Sequence, residues 1–134
     1  MKKIVLGLLL LGTSLFAELQ NVWVTPKFLE KNIKIIDIRT PAEWKETGIV
    51  KGAYTVMFFN EQGKFNVPKF LEKLNKIVKK DEPFALICRT GSRTTEVSKF
   101  LSSSKLGYKV INLKGGMMKL MQEGYIPVRY RPKK

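Results

Sequence analysis

The chain has 134 residues, the length of about one domain, and 44% of them are apolar, which excludes general disorder. It carries 25 Lys and Arg residues against 11 Asp and Glu, a formal net charge of +14, and it contains no histidine. The absence of histidine excludes Ser-His-Asp catalysis, Cys-His catalysis and zinc sites that need imidazole. The single cysteine, Cys88, excludes an intramolecular disulfide and a cysteine-rich metal cluster, so we expect neither a metal nor a cofactor.

Residues 1–17 have the layout of a secretory signal peptide. Lys2 and Lys3 provide a positively charged start, an apolar run follows, and Ala17 ends the segment just before an acid. We therefore expect cleavage after Ala17, a single mature domain over residues 18–134, and a periplasmic location. An uncleaved membrane anchor is the alternative, although the apolar run is shorter than the roughly 18–20 residues that span a bilayer.

The excess of positive charge favours small anions or anionic membrane surfaces as partners. Nucleic acid is not expected outside the cytoplasm, and membrane contact is expected to be peripheral at most. The lysines between residues 69 and 80 fit the solvated side of a helix and need no specific partner. Residues 129–134 form a short basic tail, which we expect to be frayed.

Short β-rich runs alternate with helical patterns along the remaining chain. The predicted strands cover residues 21–25, 33–38, 53–59, 84–87 and 108–113. The predicted helices cover residues 26–31, 41–48, 68–80, 93–101 and 117–122. Thr40, Pro41 and Glu43 form a capping box at the start of the second helix, and Trp23 and Phe100 are expected to pack in the core. The alternation predicts an α/β fold with a central parallel sheet of about five strands flanked by helices on both faces.

Cys88 directly follows a compact apolar strand and precedes a polar loop and a helix that begins near Arg93. Ligands of parallel sheets bind beyond the carboxyl ends of the strands, which is where Cys88 is expected. The first amides of a helix have no partner within the helix, and Gly91 allows the loop to curl around one centre. Arg89 and Arg93 add full positive charges, so the thiolate is favoured over the thiol and Cys88 is expected to be a nucleophile. The alternative is an inert thiol in the core.

Three segments follow one another in a distinctive order and spacing. They are IIDIRTPAEW at residues 35–44, ALICRTGSRT at residues 85–94 and VINLKGGM at residues 110–117. With these segments the chain resembles the rhodanese family of sulfurtransferases over about residues 19–125. The resemblance implies a rhodanese-like fold and a catalytic Cys88. It also implies a loop that binds substrate and persulfide through Arg89, Thr90, Gly91, Ser92, Arg93 and Thr94.

The resemblance implies transfer of sulfur in two steps. Cys88 takes sulfane sulfur from a small anionic donor such as thiosulfate, becomes a persulfide, and passes the sulfur to cyanide or to a thiol, which can belong to a protein. Arg89 is expected to bind the anionic end of the donor, and Arg93 to brace the loop against an acid. Asp37 and Arg39 either support the loop from below, or Asp37 binds backbone amides while Arg39 pairs with a surface acid.

The chain departs from the family at residues 47–53, where it lacks the histidine and proline that are common there. We expect a looser turn as the result. Two other functions stay open. Phosphatases with similar loops use Cys-x5-Arg, whereas Cys88 and Arg93 give Cys-x4-Arg, a smaller ring that fits a sulfur atom better than phosphate or arsenate. The other alternative is a non-enzymatic rhodanese-like module that binds or carries sulfur while docked on a partner protein.

Overall fold

A computed structural model describes residues 19–132 of the chain. The predicted signal peptide at residues 1–17 therefore lies outside the described residues, as does the end of the basic tail at residues 133–134. No helix between residues 19 and 132 has both the length and the apolar character needed to cross a membrane.

The described part of the chain contains five strands and four α-helices. The strands are β1 (Leu19–Trp23), β2 (Lys34–Asp37), β3 (Tyr54–Thr55), β4 (Phe84–Ile87) and β5 (Val110–Lys114). The helices are α1 (Pro41–Thr47), α2 (Val67–Ile77), α3 (Ser92–Leu101) and α4 (Gly116–Gln122), and a 3₁₀ helix covers Pro26–Glu30. All five strands pair in parallel in the order β1-β5-β4-β2-β3, which confirms the predicted α/β fold.

Side-chain caps determine where the helices begin. The Thr25 hydroxyl accepts a hydrogen bond from the amide of Phe28 at the 3₁₀ helix. At α1 the predicted capping box is present, because the Thr40 hydroxyl accepts from the amide of Glu43 and the Glu43 carboxylate accepts from the amide of Thr40. Proline occupies a first-turn position in both helices, where its missing N–H has no cost.

The core lies on both faces of the sheet, as expected for parallel strands that read as continuous apolar runs. Alternate residues of β4 point to opposite faces, so Phe84 and Leu86 join one cluster and Ala85 and Ile87 join the other. Helices α2 and α3 cover the first face, and α4 covers the second together with the 3₁₀ helix. Cys88 continues the alternation and belongs to the cluster on the α2–α3 face.

Three expectations about the core are wrong. Strand β3 has two residues instead of the seven predicted at 53–59, although the amides of Val56 and Phe58 still donate to the carbonyl oxygens of Asp37 and Ile38. Phe100, near the end of α3, is 39% exposed, and its ring lies 6.5 Å from that of the buried Phe58 between centroids. Trp23 is 57% exposed because β1 is an edge strand, and the Lys114 ammonium lies 4.3 Å from the centre of its ring.

The turn at residues 47–53 is also firmer than expected. Ile49 and Val128 exchange two backbone hydrogen bonds of 2.9 Å, and the amide of Lys51 donates to the Tyr125 hydroxyl. Further along the tail, the ring of Tyr130 packs on Trp44 with 5.3 Å between centroids. The C-terminal segment therefore stabilises a turn that lacks the usual proline, and the tail is not frayed at this point.

The strand order reverses between β2 and β4. The chain leaves β2 towards β3 on one side and leaves β4 towards β5 on the other, so a crevice opens between the carboxyl ends of these two strands. Asp37 ends β2 and Ile87 ends β4, which places Cys88 at this crevice.

Helix α4 closes the other side of the loop that follows β4. The amides of Met117 and Met118 donate to the carbonyl oxygens of Cys88 and Arg89, at 2.9 and 3.0 Å. This approach requires Gly116, which has a φ of +60° and whose added Cβ would lie 2.5 Å from both carbonyl oxygens. The backbone of the loop is therefore fixed by neighbouring backbone rather than by its own side chains.

We predict that Gly116→Ala lowers the free energy of unfolding by about 3 kcal/mol or more. The positive φ is unfavourable for alanine, and the added Cβ would clash with the carbonyl oxygens of Cys88 and Arg89. Gly63→Ala is the matched control, since Gly63 also has a positive φ, of +77°, but an added Cβ meets nothing within 4 Å. That change should cost only about 1–2 kcal/mol. Urea denaturation measures both, and equal losses for the two variants would contradict the role of Gly116.

Candidate active site

The thiol of Cys88 lies buried at the base of the loop that joins β4 to α3. Its Sγ accepts a hydrogen bond from the amide of Gly91 at 3.2 Å and donates to the Thr94 hydroxyl across 3.6 Å. Thr94 is itself fully buried, and its hydroxyl donates to the carbonyl oxygen of Gly91. Gly91 is the N-cap of α3 and adopts a left-handed conformation, with a φ of +99°, which turns the loop around the sulfur.

The first turn of α3 adds donors beyond the one that Sγ already uses. The amides of Ser92, Arg93 and Thr94 are the first three of the helix, so no carbonyl oxygen within the helix can accept from them. Among residues 19–132, no side chain caps this helix start. A sulfur atom added to Sγ with a negative charge would meet free N–H groups and the positive end of a helix dipole.

Arg93 is held by Glu43, which closes the crevice from the opposite side. The two guanidinium nitrogens of Arg93 donate to the two carboxylate oxygens of Glu43, each at 2.8 Å. These hydrogen bonds lower the pKa of Glu43 from 4.5 to about 2, with further lowering from the Thr40 amide, while partial burial acts in the opposite direction. The same pairing raises the pKa of Arg93. The acid that braces Arg93 is thus the acid that caps α1.

Asp37 and Arg39 form a buried ion pair below the crevice. Arg39 donates to both carboxylate oxygens of Asp37, and its backbone amide donates to one of them at 3.1 Å. The guanidinium also donates to the Thr47 hydroxyl and to the carbonyl oxygen of Gly48, at the end of α1. The expected pairing of Arg39 with a surface acid is therefore wrong, because Arg39 is only 1% exposed and its acid is Asp37. The expected contact of Asp37 with a backbone amide is present.

Arg89 lies at the exposed rim of the loop, as do Thr90 and Ser92. Beside Arg89 is a small cavity of about 40 Å³. Its lining consists of Arg39, Glu43, Glu46, Thr47, Arg89, Met117, Met118 and Met121. The guanidinium of Arg89 is thus placed to meet an anion that approaches from solvent, next to an apolar wall of methionines.

Glu43 is the site residue that the sequence analysis assigned only to helix capping. A signal for its second role is present in the topology. Helix α1 follows β2 and α3 follows β4, so the first turns of both helices lie at the same edge of the sheet. An acid in one first turn and an arginine in the other are therefore close in space, although they are separated by 50 positions in the chain.

We predict that Glu43→Gln lowers the free energy of unfolding at pH 7 by ~1–3 kcal/mol, because the charge that pairs with Arg93 is lost while a side-chain oxygen for the cap is kept. A lowered carboxyl pKa stabilises the folded protein above the unfolded pKa of about 4.5, and this stabilisation is lost as the pH falls towards 2. The difference in the free energy of unfolding between wild type and variant, measured by denaturant titration, should therefore become smaller below pH 4.5. Glu46→Gln, on the exposed side of the same helix, is the control, and a difference independent of pH would contradict the ion pair's contribution.

Comparison with known proteins agrees with this geometry. The family profile of the rhodanese-like domain matches residues 23–123. A Bacillus subtilis protein named "Putative sulfurtransferase YtwF" is 30% identical over 89 residues, which cover 66% of this chain and 74% of that protein.

Solved structures show the same fold. A rhodanese-related protein from Thermoplasma volcanium matches with a TM-score of 0.57 and 24% identity, over 78% of this chain and 94% of the other. A rhodanese-like domain protein from Staphylococcus aureus matches with a TM-score of 0.55 and 25% identity, over 74% of this chain and 88% of the other. The family profile spans most of the described residues and includes the loop around Cys88, and the chain belongs to the rhodanese-like domain family.

Proposed function

We propose that this protein is a thiosulfate sulfurtransferase that carries sulfane sulfur as a persulfide on Cys88. The observation that carries the proposal is the surroundings of the thiol. Sγ already accepts a hydrogen bond from the amide of Gly91. The next three amides, of Ser92, Arg93 and Thr94, have no hydrogen-bond acceptor within α3. This arrangement stabilises negative charge on the sulfur and on one further atom bound to it.

In the first half-reaction, the Cys88 thiolate attacks the outer sulfur of thiosulfate. A new S–S bond forms as the bond between sulfur and sulfite breaks, and sulfite leaves with the electron pair. Arg89, at the exposed rim, is suited to hold the anionic sulfonate end, because a guanidinium binds such oxygens through charge-assisted hydrogen bonds. The thiolate is itself the nucleophile of this step, so the reaction does not require a histidine, and the chain has none.

In the second half-reaction, cyanide or a thiolate attacks the outer sulfur of the persulfide. The bond to Sγ breaks, and Cys88 leaves as a thiolate that the Gly91 amide stabilises. Cys88 is the only cysteine of the sequence, so no second thiol of the same chain can take part and the acceptor must be a separate molecule. Acceptor thiols on small molecules and on proteins are both compatible with this requirement.

The site of action is proposed to be the periplasm. Support comes from the sequence of residues 1–17, which combines a basic start, an apolar run and a small residue before Glu18. Exported proteins meet an oxidising environment, in which a lone reactive thiol needs external reductants to recover from oxidation. Residues 18–134 would then form the mature domain.

The half-reaction is tested by intact mass spectrometry of the purified, reduced protein before and after incubation with thiosulfate. The expected result is a gain of one sulfur atom that cyanide removes with release of thiocyanate. Cys88→Ser is the matched control, because it replaces only the sulfur and should show no gain.

Absence of the gain in folded, reduced wild-type protein would reject thiosulfate as the donor. It would favour the second candidate, a sulfur-carrier module that receives its sulfur from a partner protein. Incubation with a protein persulfide as the donor separates the two, since that module would still gain one sulfur on Cys88.

A further inference from the structure

An aromatic groove lies on the α2–α3 face of the sheet, between the segment that leads into α2 and the middle of α3. We call the set of residues that line it the aromatic groove: Phe58, Phe59, Phe65, Val67, Glu96, Val97 and Phe100. Its volume is about 270 Å³, close to the lower end of the range for small-molecule sites. The rings contact one another, with Phe58 4.8 Å from Phe59 and 5.4 Å from Phe65 between centroids.

The aromatic groove is open to solvent where the rings are outermost. Phe65 is 58% exposed and Phe100 is 39% exposed. Exposing large aromatic side chains side by side is unfavourable for a soluble domain, and contiguous apolar surface of this kind marks a binding site. The fold does not require this exposed aromatic surface, since Phe58, Phe70 and Val97 are buried and already complete the core on this face.

Two residues in the floor of the aromatic groove, Phe58 and Val97, belong to the apolar cluster that contains the reactive sulfur. The amide of Phe58 donates to the carbonyl oxygen of Ile38, and the amide of Ile38 donates to the carbonyl oxygen of Ile87. The three segments that contain these residues therefore lie side by side, and Cys88 directly follows Ile87. From the other side, Val97 lies one helical turn after Thr94, whose hydroxyl is 3.6 Å from Sγ. Cys88, Phe58 and Val97 share one apolar cluster.

Charge is distributed unevenly around the aromatic groove. The adjoining groove shares Phe58 and Phe65 and includes three exposed lysines, which are Lys64, Lys69 and Lys73. On the opposite side the single acid is Glu96, and the ammonium of Lys99 lies 4.0 Å from its carboxylate. A ligand with an apolar body and an anionic group therefore fits best, with its anion towards the lysines.

We infer that the aromatic groove binds the apolar body of the thiol that accepts sulfur from Cys88, and that this thiol also carries an anionic group. The inference rests on the proposed function and names its acceptor class. The bound thiolate attacks the outer sulfur of the persulfide, the new S–S bond forms as the bond to Sγ breaks, and Cys88 leaves as a thiolate. The acceptor departs as its own persulfide, so no oxidant or reductant is consumed.

The test compares two acceptors that differ only in the apolar chain, 3-mercaptopropionate and 8-mercaptooctanoate, with thiosulfate as the donor. For the wild type we expect kcat/KM to be at least tenfold higher with the longer thiol, because the added methylenes are removed from water in the aromatic groove. Phe65→Ala and Phe100→Ala should each reduce this preference at least threefold. Turnover with cyanide, which is too small to use the groove, should stay unchanged in both variants.

Trp23→Ala is the matched control, because Trp23 is an equally exposed aromatic residue beside lysines but lies outside the groove. It should keep the full preference. Equal kcat/KM for the two thiols with normal cyanide turnover would overturn the inference and leave the groove to a protein partner. A dimer that Phe65→Ala dissociates in sedimentation experiments would also overturn it, since a second copy would then occupy the groove. If the wild type showed no turnover with cyanide, the proposed sulfurtransferase activity would be rejected, and the proposed acceptor class with it.

Discussion

The paired hydrogen bonds between Arg93 and Glu43 connect α1 and α3, the helices that follow β2 and β4. Glu43 caps α1 and Arg93 belongs to the first turn of α3, so this one ion pair fixes the distance between the two sides of the site. The partial exposure of both side chains keeps the cost of desolvation moderate, and the geometry with two parallel hydrogen bonds is the strongest available to an arginine and a carboxylate. The buried pair of Arg39 and Asp37 makes a second connection of this kind. Arg39 donates both to Asp37, at the end of β2, and to the carbonyl oxygen of Gly48, at the end of α1.

The chemistry of the loop follows from backbone geometry more than from side chains. Helix α4 holds the carbonyl oxygens of Cys88 and Arg89, and the amide of Gly91 donates a hydrogen bond to the sulfur. In the proposed reaction, the thiolate and its charged sulfur adduct are stabilised by backbone amides, which do not titrate, so no histidine is needed. The same arrangement leaves Sγ buried, so in the proposed reaction the acceptor presents its thiol at the mouth of the loop, and the aromatic groove is the apolar surface proposed to bind its body.

Local patterns in the sequence were sufficient to predict the fold and the position of Cys88 at the end of a strand. The capping box at Thr40 and the apolar run before Cys88 depend on neighbouring residues, and both were predicted correctly. The second role of Glu43 depends on a contact between segments that are 50 positions apart, which one sequence does not display. The partner of Arg39 is only two residues away, at Asp37, but the burial of this pair and the exposure of Phe100 are set by the surrounding fold. The firm turn at residues 48–51 belongs to the same group, because the segment that holds it is near the C-terminus.

The most direct measurement is a crystal structure of the reduced protein after exposure to thiosulfate. We expect one added sulfur atom on Sγ of Cys88, within hydrogen-bonding distance of backbone amides between Gly91 and Thr94, with the pair of Arg93 and Glu43 intact. A sulfur atom turned away from these amides would contradict the account. So would an unmodified Cys88 in crystals that show thiosulfate bound elsewhere.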